Sequence, residues 1–205
     1  LYERENAPLV VGGRYGLASK DTSPGQIMAV FNNLEAENPI DSFTIGIIDD
    51  VTHRSLPTVE GVSTEPEGDP VQVLGLGSDG TVGANKSAIK IIGDNTDLYA
   101  QGYFHYDSKK SGGITVSHLR FGKNKIQSTY LISTADFVAC HNPAYVHQYD
   151  MLKGLRKGGT FLLNCLWNKE ELEENLPGSM KRYLAENEIN FYTINAVKSV
   201  RKSVW

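Results

Sequence analysis

The 205 residues carry a net charge of −4, with 40% hydrophobic and 21% charged side chains, a composition typical of a globular protein of one to two domains. The basic residues are dispersed along the chain, which argues against nucleic acid as a partner, because that needs clustered Lys and Arg. No apolar run approaches the roughly 18 residues that cross a bilayer, so no membrane segment is expected.

The first residues, Leu1-Tyr2-Glu3, include neither an initiator Met nor the basic-then-apolar pattern of a signal peptide. We therefore expect the chain to begin inside a longer protein, and we expect a cytoplasmic location. Cys140 and Cys165 lie in apolar stretches, where free cysteine usually packs as a small hydrophobic residue. They are predicted to be buried thiols rather than a disulfide or a metal pair.

Residues 1–57 contain one predicted helix and one predicted strand. Thr22-Ser23-Pro24 supplies a hydroxyl N-cap and a proline at the first helical position, and apolar residues follow at helical spacing. The strand 43–48 ends in Asp49-Asp50, a pair that fits either acid–base chemistry or, more commonly, a helix cap or an interdomain contact. Residues 58–70 are rich in proline and acidic residues and are predicted to form a linker.

From residue 71 onward, apolar strands alternate with helical patterns. Strands are predicted at 71–77, 99–106, 129–133, 136–141, 159–165 and 190–195, and helices at 81–92, 143–155, 169–175 and 177–188. Such alternation predicts an α/β domain, a mainly parallel sheet with helices on both faces, Rossmann-like. This domain is assigned to residues 71–205.

The most informative motif is a glycine-rich turn between the first of these strands and the first helix. Gly75, Gly77, Gly80 and Gly83 are interleaved with hydroxyl and acidic residues. Glycines let backbone N–H groups approach an anion, and a helix N-terminus adds about half a positive charge. The turn therefore predicts a phosphate-binding site.

The same glycine spacing also fits a dinucleotide-binding fingerprint. A nicotinamide site would place a carboxylate at the end of the second strand, where Asp107 is available. Lys109 and Lys110 follow at once, and a lysine pair favours a ribose that carries an extra phosphate, as in coenzyme A and NADP. Glycine spacing alone leaves these ligands open.

Longer stretches of the chain resemble the gamma region of the pyruvate:ferredoxin (flavodoxin) oxidoreductases. The similarity is carried by residues 77–86, 103–113, 115–122 and 139–143. Residues 11–17, 19–21 and 49–53 independently resemble the end of the domain that precedes this region. The resemblance covers nearly the whole chain and keeps the family's domain order. It implies that 1–57 is the C-terminal part of a transketolase-like domain and 71–205 the gamma domain.

The resemblance also implies a function. Enzymes of this family decarboxylate pyruvate oxidatively, pass electrons to ferredoxin or flavodoxin, and deliver the acetyl group to coenzyme A. Thiamine diphosphate, Mg and iron–sulfur clusters would lie in other domains of the same polypeptide, against which this segment would pack, and the enzyme would be a homodimer. The segment itself has no closely spaced cysteines to hold a cluster.

Carried onto this sequence, the resemblance implies a set of coenzyme A contacts and neither a catalytic residue nor a metal ligand. The contacts are Gly77, Ser78, Asp79, Gly80, Thr81, Val82, Asn85, Lys109, Lys110, Asn142 and Pro143.

Two other functions stay open at this point: an NAD(P)-dependent dehydrogenase domain, and a non-catalytic assembly module in which the glycine turn is structural. The five histidines are scattered along the sequence and are interpreted mainly as isolated structural or surface residues. The alternative is that His141 is coupled to a nucleotide pocket.

Overall fold

The chain divides into two compact units, which are described separately here. One contains residues 1–65 with 128–130, and the other contains residues 66–127 with 131–205. The computed structural model describes residues 8–16, 21–62, 64, 69–76, 80–106, 113–196 and 198.

The first unit is a three-stranded parallel sheet with one helix. Its elements are β1 (Gly13–Arg14), α1 (Pro24–Glu35), β2 (Phe43–Ile45) and β3 (Ser55–Leu56), with strand order β1-β2-β3. Helix α1 begins with a capping box: the Ser23 hydroxyl accepts from Gln26 N–H, and the Gln26 side chain accepts from Ser23 N–H. The predicted N-cap at this position is confirmed.

Helix α1 is apolar on two sides. Its inner side lies on a small core formed by Ala29, Phe43, Ile45 and Leu56. Its other side is exposed and carries four apolar residues, here called the outer stripe of α1: Ile27, Met28, Phe31 and Leu34. A helix with apolar residues on two sides is typical of one that packs against a partner on both.

The second unit is a six-stranded mixed sheet in the order β5-β6-β4-β7-β8-β9. Its elements are β4 (Asp69–Leu76), α2 (Thr81–Asn95), β5 (Tyr99–Tyr106), β6 (Ile114–Gly122), β7 (Ala135–Cys140), a 3₁₀ helix (Pro143–His147), β8 (Leu155–Asn164), α3 (Lys169–Asn175), α4 (Gly178–Glu186) and β9 (Asn190–Ile194). Strands β4, β7, β8 and β9 pair in parallel, whereas β6 is antiparallel to both β4 and β5.

Both faces of this sheet are covered, because alternate residues of a strand point to opposite sides. On one face, Ile89 and Ile92 of α2 pack with Leu119, Phe121 and Ala139. The other face carries the larger core, which joins β7 and β8 to the 3₁₀ helix and α4 and includes Val138, Tyr145, Leu152, Phe161, Leu163 and Met180. The predicted α/β fold with helices on both faces is confirmed.

Two predicted elements of the second unit differ from the structure, and one of its strands was not predicted. Residues 129–133 form no strand, and 143–155 form a short 3₁₀ helix followed by turns rather than one long helix. Strand β6 was not predicted, although it pairs over its whole length with β5. It makes the hairpin edge of the sheet antiparallel, so the sheet is parallel only from β4 to β9.

Candidate functional site

The parallel strands of the second unit end at one edge of the sheet. Strand β4 lies between β6 and β7, and its successor in the chain, β5, lies on one side while β7, β8 and β9 extend on the other. The chain therefore reverses its winding direction at β4 and β7, whose carboxyl ends are adjacent through the pair Leu74 and Cys140. Open α/β sheets bind ligands in the crevice outside such a switch point.

The N-terminus of α2 opens into this crevice. Its N-cap is Gly80, whose φ of +85° lies in the left-handed region where a residue with a Cβ is strained. Among the residues that the structure describes, no side chain caps the helix by a hydrogen bond, and its first turn carries no acidic residue. The first N–H groups of a helix have no intrahelical partner, so this end presents donors and a partial positive charge.

A side-chain hydrogen bond crosses the switch point. Thr81 Oγ1 lies 2.9 Å from His141 Nδ1, which joins the first residue of α2 to the residue after β7. Thr81 is only 3% exposed. Its hydroxyl is directed to His141, so its side chain connects the start of α2 to the end of β7. The ligand contact predicted for Thr81 stays a prediction.

The backbone around His141 is also held. Asn164, the last residue of β8, donates from Nδ2 to the His141 carbonyl at 3.1 Å and accepts from Ala196 N–H at 3.1 Å. The Cys140 thiol donates to the Asn142 carbonyl at 3.0 Å. Burial raises the pKa of Cys140 to about 11, so the group stays a neutral thiol. Hydrogen bonds thus connect the carboxyl ends of β7, β8 and β9.

Helix α2 and strand β6 each carry a buried polar side chain. Asn85, one turn after Thr81, is 6% exposed, and Ser117 of β6 is fully buried. Within the residues that the structure describes, Asn85 Nδ2 and Ser117 Oγ have no hydrogen-bond partner. A buried donor without a partner costs free energy, and such groups are typical of sites that meet a ligand or a water molecule.

The remaining predicted contacts divide into two groups. Val82 and Pro143 are half-buried at the crevice, and Asn142 caps the 3₁₀ helix by accepting from Ala144 N–H at 3.1 Å. The predictions for Gly77, Ser78, Asp79, Lys109 and Lys110 fall outside the described residues.

The strand ends that flank those residues are described and lie at the same edge as the crevice. Leu76 ends β4 and pairs with Ile114 at the start of β6, while Tyr106 ends β5 and pairs with Thr115. The chain therefore enters and leaves 107–112 beside the end of β4. His141 and Asn164 are site residues that the predicted contact set omits; their position directly after or at the end of an apolar strand was the available signal.

Other titratable residues serve the fold. Asp50 accepts from the Thr52 hydroxyl and from the backbone of Arg54 and Ser55, and these bonds, that from Thr52 first, lower its pKa to about 2. It closes a turn rather than capping a helix. Burial lowers the pKa of His118 to about 4, with the nearby Arg120 charge adding to the shift. Among the described residues, no group of three metal-ligating side chains comes together.

The described helices include none that is long and apolar enough to cross a membrane.

These features define the second unit as an α/β domain with a crevice at the switch point of its sheet. Residues 71–204 match the family model described as pyruvate ferredoxin/flavodoxin oxidoreductase. A pyruvate:ferredoxin oxidoreductase of Moorella thermoacetica is 60% identical over 199 residues, which are 97% of this chain and 17% of that protein. A pyruvate-flavodoxin oxidoreductase of Klebsiella pneumoniae is 59% identical over 204 residues, 98% of this chain and 17% of that protein.

The chain belongs to the pyruvate:ferredoxin/flavodoxin oxidoreductase family. It spans about a sixth of the length of these curated relatives. Among solved structures, the chain is similar to a 2-oxoglutarate:ferredoxin oxidoreductase from Magnetococcus marinus with 2-oxoglutarate, coenzyme A and succinyl-CoA bound. In that comparison the TM-score is 0.47 and the identity 16%, over 67% of this chain and 22% of the other.

Proposed function

We propose that the crevice between β4 and β7 binds coenzyme A as part of a pyruvate:ferredoxin oxidoreductase. The observation that carries the proposal is the Thr81–His141 hydrogen bond, which fixes the N-terminus of α2 at the switch point of the sheet. The glycine N-cap and the absence of an acidic residue in the first turn of α2 suit a phosphate group there.

The contacts follow from the groups around this point. Backbone N–H groups at the start of α2 would meet a phosphate, and Asn85 Nδ2 supplies a buried donor one turn further along. Lys109 and Lys110 are proposed to bind the 3'-phosphate of the ribose. Support for their position is the sequence and the strand ends that flank them, Tyr106 and Ile114.

For the whole protein we propose oxidative decarboxylation of pyruvate to acetyl-CoA, with electrons passed to ferredoxin or flavodoxin. Coenzyme A would accept the acetyl group at this segment, while thiamine diphosphate, Mg and iron–sulfur clusters would be held by other domains of the homodimer. The free, buried thiols of Cys140 and Cys165 are what a reducing cytoplasm would maintain.

The first unit is proposed to pack against those other domains, with 58–70 as the linker to the coenzyme A domain, 71–205. Support comes from the outer stripe of α1, which is exposed in a chain that spans 17% of its relatives. An exposed apolar stripe of this kind is typical of a surface that a neighbour covers.

The test of ligand identity is calorimetric titration of the chain with coenzyme A and with dephospho-coenzyme A. We expect coenzyme A to bind about tenfold more tightly, a difference of about 1.4 kcal/mol, because two lysines meet the extra phosphate. The double variant Lys109→Ala, Lys110→Ala should equalise the two affinities. A control with Lys123→Ala and Lys125→Ala, two exposed lysines after β6, should keep the preference.

Two outcomes would redirect the proposal. Competition by NADP with an affinity equal to that of coenzyme A would favour the dehydrogenase interpretation of the glycine spacing. Binding of neither nucleotide by a folded chain would favour a non-catalytic assembly module.

A further inference from the structure

We infer that His141 is a positioning residue for the nucleotide site, and that its Nδ1 atom fixes the N-terminus of α2 against the end of β7. The inference rests on the proposed function, since it concerns the same crevice. His141 is not expected to bond the ligand for this role; it acts through Thr81.

The geometry gives the hydrogen bond this importance. Thr81 and His141 are 60 residues apart in the chain, and their side chains meet at 2.9 Å. The bond joins two elements that approach the crevice from opposite sides of the switch point, α2 and β7. A shift of α2 would move its first N–H groups relative to a bound phosphate, and hydrogen bonds weaken steeply with distance and angle.

The second argument is that water competes little for the Thr81 hydroxyl. Thr81 is 3% exposed, so the bond to His141 lies in a poorly hydrated place, where water does not readily replace a lost hydrogen bond. A bond on the protein surface would be replaced by water with little effect. Here the loss is expected to change the position of the helix end.

The third argument is that the backbone of His141 is fixed independently of its ring. Asn164 holds the His141 carbonyl and in turn accepts from Ala196 N–H. Asn142 caps the 3₁₀ helix that follows. The imidazole is therefore presented from a rigid point, as preorganised sites require.

Two amide substitutions separate the role of Nδ1 from that of the ring as a whole. An asparagine amide places its polar atoms near the position of Nδ1, whereas a glutamine amide places them near Nε2. We expect His141→Asn to bind coenzyme A within about twofold of the original chain, and His141→Gln to bind about tenfold more weakly. The matched control is His147→Gln in the exposed part of the 3₁₀ helix, which should change nothing.

A double-mutant cycle shows whether His141 acts through Thr81. Thr81→Val keeps the shape of the side chain and removes the hydroxyl, and it should weaken coenzyme A binding by about the same factor as His141→Gln. The double variant should then bind no more weakly than either single variant. Thermal unfolding of each variant verifies that binding is measured on folded protein, and Thr81→Val carries the test if His141→Gln does not fold.

The outcomes separate this inference from the proposed function. Unchanged affinity in folded His141→Gln, equal losses in His141→Asn and His141→Gln, or additive effects in the cycle would each overturn the positioning role. If the original chain binds inorganic pyrophosphate but not coenzyme A, the proposed ligand is wrong and the same variants decide the inference with pyrophosphate. If it binds neither probe, both are wrong.

Discussion

The two units of the chain bury their apolar side chains to different degrees. The second unit covers both faces of a six-stranded sheet and has two buried clusters. The first has a single cluster of four buried residues on one side of α1 and exposes the outer stripe of α1 on the other. Small units bury a smaller share of their surface and are less stable alone. The second unit thus resembles a self-sufficient domain, and the first resembles part of a larger one.

The largest expected effect follows from replacing one phenylalanine in each unit. Phe161 is fully buried on β8 and stacks on Phe191 with centroids 5.5 Å apart, so Phe161→Ala should cost about 3–5 kcal/mol of unfolding free energy. Phe31 is 58% exposed in the outer stripe of α1, so Phe31→Ala should lower the unfolding free energy by less than about 0.5 kcal/mol. Urea unfolding measures both, and equal losses would contradict the comparison.

The next effect is a difference in pH dependence between the units. The folded pKa of His118 is lowered from 6.5 to about 4 by burial, so the unfolded state binds more protons between these values. The unfolding free energy of the second unit should therefore be highest above pH 6.5. It should fall by up to about 3 kcal/mol as the pH is lowered to 4. Hydrogen exchange of Val138 and Leu163 amides at pH 7 and pH 4.5 measures the loss.

A matched variant isolates His118. His118 Nδ1 accepts a hydrogen bond from Ile132 N–H at 3.2 Å. In His118→Asn the side-chain amide can still accept this bond, but the amide does not titrate. This variant should show a smaller pH effect. In the first unit, Asp50 has its pKa lowered from 3.8 to about 2, so its contribution is lost only as the pH falls below 3.8. A simultaneous loss in both units between pH 6.5 and 4 would argue against separate titrating groups.

The smallest expected effect on stability comes from replacing Asn85, a buried polar residue of α2 in the second unit. Asn85→Ala removes a buried donor without a partner and gains about 0.6 kcal/mol of helix propensity, so unfolding free energy should stay level or rise by about 1 kcal/mol. Coenzyme A affinity should fall at the same time. Calorimetry measures the affinity and urea unfolding measures the stability. Unchanged coenzyme A affinity in folded Asn85→Ala would contradict the proposed contact of Asn85 with the ligand.

The sequence pattern predicted the elements whose signals are local. Strand β4, the glycine turn and α2 follow one another as an apolar run, a backbone that requires φ > 0 at Gly80, and helical spacing. The N-cap of α1 was equally local, because a hydroxyl residue and a proline define it within three positions.

The errors arose where tertiary contacts outweigh local preference. Strand β6 has two buried polar residues, His118 and Arg120, which interrupt its apolar pattern. Its pairing with β5 stabilises the strand, and this contact cannot be seen in the local sequence. The helix predicted at 143–155 ends at His147 as a 3₁₀ helix, and turns follow. The last of these turns contains Gly154, whose φ of +85° and close approach to the Ser133 carbonyl fit only glycine.

The proposed site follows from a local sequence motif, whereas the hydrogen bonds around it do not. A phosphate turn after β4 is a local motif, but the partner of Thr81 lies 60 residues away, so no spacing rule could show that its hydroxyl binds His141. The burial of Asn85 likewise depends on how α2 packs on the sheet. Sequence identified the crevice, and the fold assigned the hydrogen bonds within it.

The most direct test of the central claim is a two-dimensional amide NMR titration of the chain with coenzyme A. We expect the largest shifts at Gly80, Thr81, Asn85, His141 and Asn142, around the ends of β4 and β7, and little change on α1. Shifts confined to the cleft lined by Tyr149, Met180 and Tyr183, with none at His141, would contradict the proposed site.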